Sequence, residues 1–215
     1  PTTSYGNALQ IHDTGTAGAN LRLTDSNTGS GTGNGFEIIV INADNYIMNR
    51  EAGPIFTSID GNTVQKIDAD GHVTFPKTTA FCAQNSADQN NQAVSSNIVV
   101  GFNSERFDLN ADYDGVNTFT APVTGKYMLN GHLYLLGVDS AADYYEMMIS
   151  TSNNTYYAPF DPGGFSGDLS YWHINLSKLV DMDENDTATI KFRQQAGTAQ
   201  TDISQVSTFS GYLVC

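Results

Sequence analysis

The chain has 215 residues, enough for one ordinary domain or for a small domain with a long appendage. Its 9 basic and 23 acidic residues give a net charge of −14, which repels phosphate and excludes nucleic-acid binding through a basic surface. Hydrophobic residues make up 40% of the chain, with 11 Tyr and 11 Phe, so we expect a packed core rather than general disorder. Asp outnumbers Glu, and Asn and Gly are abundant, which favours strands and turns over helices. The longest apolar run, Ile38–Ile41, is far shorter than the roughly twenty apolar residues that membrane insertion needs.

Residues 1–35 consist mostly of Gly, Thr, Ser, Asn and Ala. Isolated apolar residues such as Leu21 and Leu23 alternate with polar ones, which predicts short strands with one apolar face. The Gly-rich stretch 29–35 predicts a flexible loop, and it lacks the Lys-Ser or Lys-Thr pair of a phosphate-binding loop. We interpret residues 1–35 as a flexible attachment segment.

Residues 36–78 have the pattern of consecutive short strands separated by turns. The predicted strands are Phe36–Ile41, Tyr46–Met48, Ile55–Ile59, Val64–Ile67 and Val73–Phe75. Asp60-Gly61 and Asp70-Gly71 are strong hairpin signals. Strands this short bury little surface alone, so we expect the segment to form a fibrous shaft in which three copies wind about one axis.

Residues 79–215 predict a separate all-β domain that follows a boundary near Pro76. In Tyr127–Leu136 the odd-numbered side chains share one face of a long strand. Further predicted strands are Ile98–Phe102, Tyr144–Ser150, Leu169–Met182, Thr187–Phe192 and Thr208–Val214. Roughly eight such strands without a helical pattern indicate a β-sandwich or jelly roll.

The sequence from residue 102 to residue 131 resembles the globular head of complement subcomponent q and adiponectin, a TNF-like jelly roll. The resemblance is carried by the spacing of Phe102, Asp108, Tyr113, Phe119 and Gly125-Lys126-Tyr127. The gap from Tyr113 to Phe119 is one residue short, and Leu129 and Gly131 occupy positions where the family prefers aromatic residues. Ala80–Ala83 is similar to the first strand of the family and Phe209–Leu213 to its last strand.

This resemblance implies a tight homotrimer of jelly-roll heads that serves in binding and assembly rather than in catalysis. It implies that aromatic side chains pack in the cores or near the threefold axis, and the candidates are Phe81, Phe102, Phe119, Tyr127 and Tyr212. The first and last strands of the family are antiparallel neighbours, so Cys82 and Cys215 are expected to lie close together. Either a disulfide or two free thiols is compatible with that proximity.

Motifs of known catalytic chemistry are missing from the sequence. No Gly-x-Ser-x-Gly elbow exists, and neither cysteine lies in a signature reactive context. His12, His72, His132 and His173 lie far apart without metal-ligand spacing, so each is expected to pack or to face solvent. We therefore predict that the protein is not an enzyme.

Two acidic segments have the alternation of oxygen ligands that suits calcium. Asp181, Asp183 and Asp186 form the first segment, and residues 108–114 form the second. The first lacks the Gly and the final acidic ligand of an EF-hand loop. Calcium is therefore the one candidate cofactor, and solvated acidic turns are the alternative.

A candidate ligand patch lies between Ser150 and Asp168. Aromatic rings pack against sugar rings and amide groups bind hydroxyls, so exposed side chains of these types predict a glycan site. The candidates are Asn153, Asn154, Tyr156, Tyr157 and the nearby Trp172. Packing inside the jelly roll is the alternative for Trp172 and for the two tyrosines.

Residues 1–80 are similar in style to shafts of bacteriophage tail fibres, for example at 21–26, 44–49 and 71–75. Together the two resemblances predict a trimeric virion fibre or spike of a bacteriophage whose head adheres to a host-surface glycan. Such a protein is made in the host cytoplasm, lies on the tail or capsid surface, and joins other virion proteins through its N-terminal segment. The alternatives are a secreted lectin-like recognition protein, a capsid-decorating head fibre and, last, an enzyme that cleaves sugars with paired carboxylates.

Overall fold

The computed structural model describes residues 11–15 and 18–215. Parts of the predicted attachment segment, residues 1–10 and 16–17, lie outside the described residues. The regular elements of the described part are all strands, in agreement with the all-β prediction. Within it, no helix has the length and apolar character needed to span a membrane. The chain divides into two compact units, of which the first ends at Pro76 and the second begins at Lys77.

The first unit contains two small antiparallel sheets, with strand orders β1-β2-β3 and β4-β5-β6. Their strands are β1 (Ala19–Leu23), β2 (Phe36–Ile41), β3 (Asp44–Asn49), β4 (Ile55–Ile59), β5 (Asn62–Ile67) and β6 (Val73–Thr74). The β4–β5 hairpin turns at Asp60 and Gly61, whose φ angles of 48° and 74° are both positive. This is the turn geometry that the Asp-Gly pair predicts.

The β1–β3 sheet has an exposed apolar face. Leu21 lies opposite Ile38, and Ile38 lies opposite Ile47, so the three side chains share one face. They are 38%, 47% and 68% exposed, respectively. The first unit therefore does not bury these aliphatic side chains within itself.

The opposite face of the β1–β3 sheet holds a buried carboxylate. The Glu37 side chain is completely buried between the guanidinium groups of Arg22 and Arg50, with Arg50 Nε 2.7 Å from Glu37 Oε2. Burial raises the pKa of Glu37, but hydrogen bonds from Arg50 and Arg22 outweigh it and hold the pKa below its ordinary value. Glu37 is thus charged at neutral pH and links two strands with the segment after β3.

The second unit is a sandwich of two antiparallel sheets. The six-stranded sheet has the order β14-β11-β17-β7-β9 with β16 paired to β11, and the five-stranded sheet has the order β10-β15-β12-β13 with β8 paired to β15. The strands are β7 (Ala80–Gln84), β8 (Ile98–Val99), β9 (Ser104–Asp108), β10 (Phe119–Thr120), β11 (Gly125–Val138), β12 (Tyr144–Thr151), β13 (Thr155–Phe160), β14 (Leu169–Met182), β15 (Thr187–Gln195), β16 (Asp202–Ile203) and β17 (Thr208–Leu213).

The core lies between these two sheets. The odd-numbered residues of β11 from Tyr127 to Leu135 are all buried, which confirms the predicted face. Phe81 stacks on Phe119 with ring centroids 4.8 Å apart and meets Phe209 edge-on at 5.0 Å. The buried Tyr127 hydroxyl donates to the Val123 carbonyl at 2.6 Å, so its polar tip is satisfied.

Gly131 lies in the middle of this buried row. A Cβ at this position would lie 2.9 Å from Ile190 Cδ1 and 3.3 Å from Met147 Cε. The two facing side chains of the other sheet therefore fill the space over Gly131. This explains why the sequence departs here from the aromatic preference of the resembled family.

The predicted proximity of Cys82 and Cys215 is wrong, although their strands are antiparallel neighbours as expected. The register places Cys82 opposite Ser210. Cys215 follows five residues later along the same extended segment, and its carbonyl accepts a hydrogen bond from Lys126 N at 2.7 Å. At about 3.4 Å per residue, Cys215 lies roughly 17 Å from the point opposite Cys82. Both thiols are free.

The structure also contains strands that the sequence analysis does not predict. The most important is β13, which runs through the Asn- and Tyr-rich segment between Ser150 and Leu169. It forms one edge of the five-stranded sheet and pairs with β12. Because successive strand residues point to opposite faces, Tyr156 and Tyr157 have different surroundings.

Candidate functional site

A surface cavity of about 290 Å³ lies where β12 turns into β13 and β14 ends. It is lined by Asn153, Asn154, Tyr156, Asp181 and Asp183, and we call it the end cavity. The first three residues belong to the predicted ligand patch, and the two aspartates belong to the predicted calcium segment. The fold thus unites two segments that the sequence analysis treats separately.

The two turns beside the end cavity are tied together by one carboxylate. Asp186 Oδ2 accepts hydrogen bonds from Asn153 Nδ2 at 2.5 Å and from the backbone N–H of Asp183 at 2.8 Å. Within the β12–β13 turn, the Thr151 N–H donates to the Asn154 carbonyl at 2.8 Å. These bonds fix the loop backbone, so the cavity is formed before a ligand arrives.

The predicted calcium set is not assembled. Asp181 Oδ1 forms an ion pair with Lys126 Nζ at 2.6 Å, and Asp186 is engaged in the turn bonds. Among the described residues, the carboxylates of Asp181, Asp183 and Asp186 do not converge as a ligand group. The geometry favours the alternative, an acidic turn that faces solvent.

The second acidic segment is also used locally. Asp108 Oδ2 accepts the Tyr113 N–H at 2.9 Å, and Asp114 Oδ1 accepts three successive backbone N–H groups at 2.8–2.9 Å. Partial burial raises the pKa of Asp114, but these backbone hydrogen bonds together outweigh it and hold the pKa below its ordinary value. Both carboxylates stabilise turns, which accounts for the recurrence of acidic residues in this segment.

One converging group that the sequence analysis does not predict lies in the β5–β6 turn. Asp68, Asp70 and His72 bring their ligand atoms together, and His72 Nδ1 lies 3.1 Å from Asp68 Oδ2. The Asp68 carboxylate also accepts the N–H groups of Asp70 and His72. The group is therefore an ordinary exposed turn with its own internal hydrogen bonds.

The two candidate tyrosines occupy different faces of β13. Tyr156 is half-buried beside the core, and Lys178 Nζ lies 5.5 Å from its ring centroid, in cation–π range. Tyr157 points to the outer face and is 57% exposed. Only Tyr156 lines the end cavity.

Trp172 does not belong to the end cavity. Its ring stacks on Phe160 with centroids 4.6 Å apart and an interplanar angle of 14°, and it packs against the core. It precedes Asp181 by nine residues of the same strand, which corresponds to roughly 30 Å. The structure therefore gives Trp172 the packing role that was its alternative.

The five candidate packing aromatics also separate into two groups. Phe81, Phe102, Phe119 and Tyr127 are at most 1% exposed and form the core. Tyr212 lies on the outer face of the six-stranded sheet and is 47% exposed.

A histidine pair on that same outer face is invisible in the linear sequence. His132 Nε2 lies 2.8 Å from His173 Nδ1, and the rings stack with centroids 5.1 Å apart. Burial, and then the neighbouring His173, lower the pKa of His132. The pair could have been predicted only from the register of β11 against β14, the two longest strands, because that register places the two histidines side by side.

Similarity to this chain is found among solved structures but not among curated proteins. No curated protein matches the chain. Among solved structures, the globular domain of zebrafish complement 1qA protein is similar at 16% identity and a TM-score of 0.48, covering 65% of this chain and 98% of that one. Murine APRIL at pH 8.5 is similar at 10% identity and a TM-score of 0.47, covering 64% of this chain and 100% of that one.

A family model describes the whole of the sandwich. The C1q domain model matches residues 80–214, from the first residue of β7 to the residue after β17. The prediction of a jelly-roll β-sandwich of the complement-q and TNF-like type is thereby confirmed. This match spans more than half of the chain, and the chain belongs to the C1q domain family.

Proposed function

We propose that this chain is a homotrimeric, non-enzymatic recognition protein whose end cavity binds a neutral or amino sugar of a cell-surface glycan. C1q/TNF-like domains are commonly trimeric, are involved in recognition and are typically non-enzymatic. The observation that carries the proposal is the end cavity, where two amides, two carboxylates and one aromatic ring line a single space.

The lining of the end cavity suits a sugar chemically. Amide and carboxylate groups bind hydroxyls in both donor and acceptor directions, and the Tyr156 ring offers an apolar wall. A volume of about 290 Å³ lies at the lower limit of small-molecule sites, which favours a terminal sugar over a long segment. Asp181 and Asp183, in a chain of net charge −14, disfavour sialic or uronic acids and favour neutral or amino sugars.

The outer faces of the two head sheets support association through the six-stranded sheet. On that sheet Tyr171, Leu179 and Tyr212 are 61%, 53% and 47% exposed. The outer face of the five-stranded sheet carries the charged Lys191 and Arg193 beside the exposed Tyr157. We propose that three copies meet through the apolar face, which presents three end cavities on one head. Three weak sites then bind a repeating glycan far better than one site does.

The setting that we propose is a bacteriophage virion, in which the head lies on a fibre or spike at the tail or capsid surface. The support is the first unit, whose short sheets leave Leu21, Ile38 and Ile47 for other copies or other virion proteins to cover. A capsid-decorating fibre needs the same trimer without a glycan. A secreted lectin-like protein needs the same head without virion partners.

A glycan array probed with the purified chain tests the end cavity. We expect binding to a subset of neutral or amino glycans and at least a tenfold loss in Asp183→Ala, whose side chain lines the cavity. Asp143→Ala is the matched control, because it removes the same charge from an exposed position between β11 and β12. Silence on all glycans, or equal binding by both variants, contradicts the proposed function.

A further inference from the structure

We propose that His132 and His173 form a chelating site for a divalent transition-metal ion of the zinc, nickel or copper class. The site lies on the outer face of the six-stranded sheet. It does not depend on the end cavity or on glycan binding.

The strand register brings the two imidazoles together. His132 lies opposite Asn175, and His173 lies opposite Tyr134, so the histidines are diagonal neighbours on adjacent antiparallel strands. Their facing nitrogens, His132 Nε2 and His173 Nδ1, are 2.8 Å apart. Two imidazole nitrogens that each lie about 2.0–2.1 Å from one ion in a tetrahedral set are roughly 3.3 Å apart. A small opening of the pair therefore converts a hydrogen bond into a two-nitrogen chelate.

This conversion neither releases nor takes up a proton. In the metal-free pair, one facing nitrogen donates its hydrogen to the other. When an ion enters, that imidazole carries its hydrogen on its other ring nitrogen instead, and both facing lone pairs bind the ion.

The surroundings hold the rings in place without competing for the ion. Tyr134 meets the His173 ring edge-on, with centroids 4.3 Å apart and an interplanar angle of 90°. The directly opposed partners of His132 on the flanking strands are Asn175 and Thr208, which are uncharged. The Lys126–Asp181 ion pair lies near the far end of the same two strands.

The chemistry of the donors selects the class of metal. Imidazole nitrogen suits zinc, nickel and copper, whereas calcium and magnesium need hard oxygen ligands. Two nitrogens complete half of a tetrahedral set, and water supplies the remainder in a single chain. In the trimer proposed above, where copies meet through this face, an imidazole of a neighbouring copy can replace a water ligand.

Cobalt absorption spectroscopy on the full chain tests the site, with Co²⁺ as the probe and Zn²⁺ as the competitor. We expect saturable visible absorption that Zn²⁺ abolishes, and at least tenfold weaker binding in His132→Asn. Either one ion per chain or one ion per three chains supports the site.

Two further variants keep the test decisive. His173→Gln changes the more exposed ring of the pair, and we expect it to weaken Co²⁺ binding to the same degree. It takes the place of His132→Asn if that variant fails to fold. His72→Asn is the matched control, because it removes the imidazole of the other converging group. Undiminished Co²⁺ binding in the folded His132→Asn and His173→Gln variants, or no binding by the wild type, overturns the proposal.

Discussion

The two units of this chain bury opposite kinds of side chain. In the second unit, Phe81, Phe119 and Tyr127 are at most 1% exposed between two sheets. In the described part of the first unit, the one fully buried side chain is a carboxylate, Glu37, while the adjacent Ile38 is 47% exposed. The second unit therefore carries its own hydrophobic core, whereas the first unit is organised by an ion-pair cluster and does not bury its apolar face within itself.

The largest expected effect comes from truncating one apolar side chain in each unit and comparing the free energies of unfolding of the head. Phe81→Ala removes the centre of the aromatic stack and should lower the free energy of unfolding of the head by about 3–5 kcal/mol. Ile38→Ala should change it by no more than about 0.5 kcal/mol, because that side chain lies in the other unit and is exposed. The fluorescence of Trp172, the single Trp, reports head unfolding in denaturant.

Equal losses in Phe81→Ala and Ile38→Ala would break this comparison, because they would mean that the head depends on the first unit for its stability.

A smaller and local effect is expected from protonation of Glu37, which should destabilise the β1–β3 sheet. The pKa of Glu37 is lowered in the folded chain, so its contribution to stability is complete above its ordinary value of 4.5 and is lost as pH falls through the lower folded value. Hydrogen exchange of β1–β3 amides, corrected for intrinsic rates, should show loss of protection over this acidic range.

Glu37→Gln is the control for this pH effect, because it removes the titrating group at nearly constant volume. The β1–β3 amides of that variant should exchange with little dependence on pH. The same acid-induced loss in wild type and variant would assign the effect to other carboxylates.

The smallest expected effect is the change in the stability of the head when residues 1–76 are deleted. Lys77 is retained because its carbonyl accepts Asn110 Nδ2 at 3.1 Å, and Thr79 is retained because its carbonyl accepts the Leu213 N–H at 3.1 Å. The Trp172 transition should stay within about 0.5 kcal/mol of that of the full chain.

Sedimentation sharpens the same comparison. The full chain should have about three times its 23.2 kDa mass, and the truncated head should also be trimeric. Loss of cooperative unfolding after the deletion would show that the first unit is needed for the head to form.

Much of the fold can be predicted from local sequence patterns. The strand β13, which these patterns miss, has a physical reason for escaping prediction. Alternation from Tyr127 to Leu135 predicts β11 because that strand is central and has the core on one face only. β13 escapes prediction because it is an edge strand whose residues, including Tyr156 and Tyr157, are partly exposed on both faces. Edge strands carry a weaker pattern because solvent tolerates polar residues on either side.

The site was predictable in its residue types but not in its assembly. Asn154 and Tyr156 were identified by chemistry, but their meeting with Asp181 depends on how the ends of β12 and β14 are aligned. Register also explains why the predicted proximity of Cys82 and Cys215 is wrong. Their strands are neighbours as predicted, but Cys82 lies opposite Ser210 and not opposite Cys215. Contacts between distant strands depend on the position of every residue along the ladder, which composition does not encode.

The pairing of β7 with β17 has a consequence for the order of events during synthesis. These are the first and last strands of the head, and they lie side by side within one sheet. While a ribosome is still making β17, β7 has no partner on that edge, and Phe81 lacks the Phe209 ring that it meets in the finished core. The hairpins of the first unit close between neighbouring residues and need no such delay. The head is therefore expected to fold only after its last strand emerges, and the interval exposes its aromatic residues to aggregation.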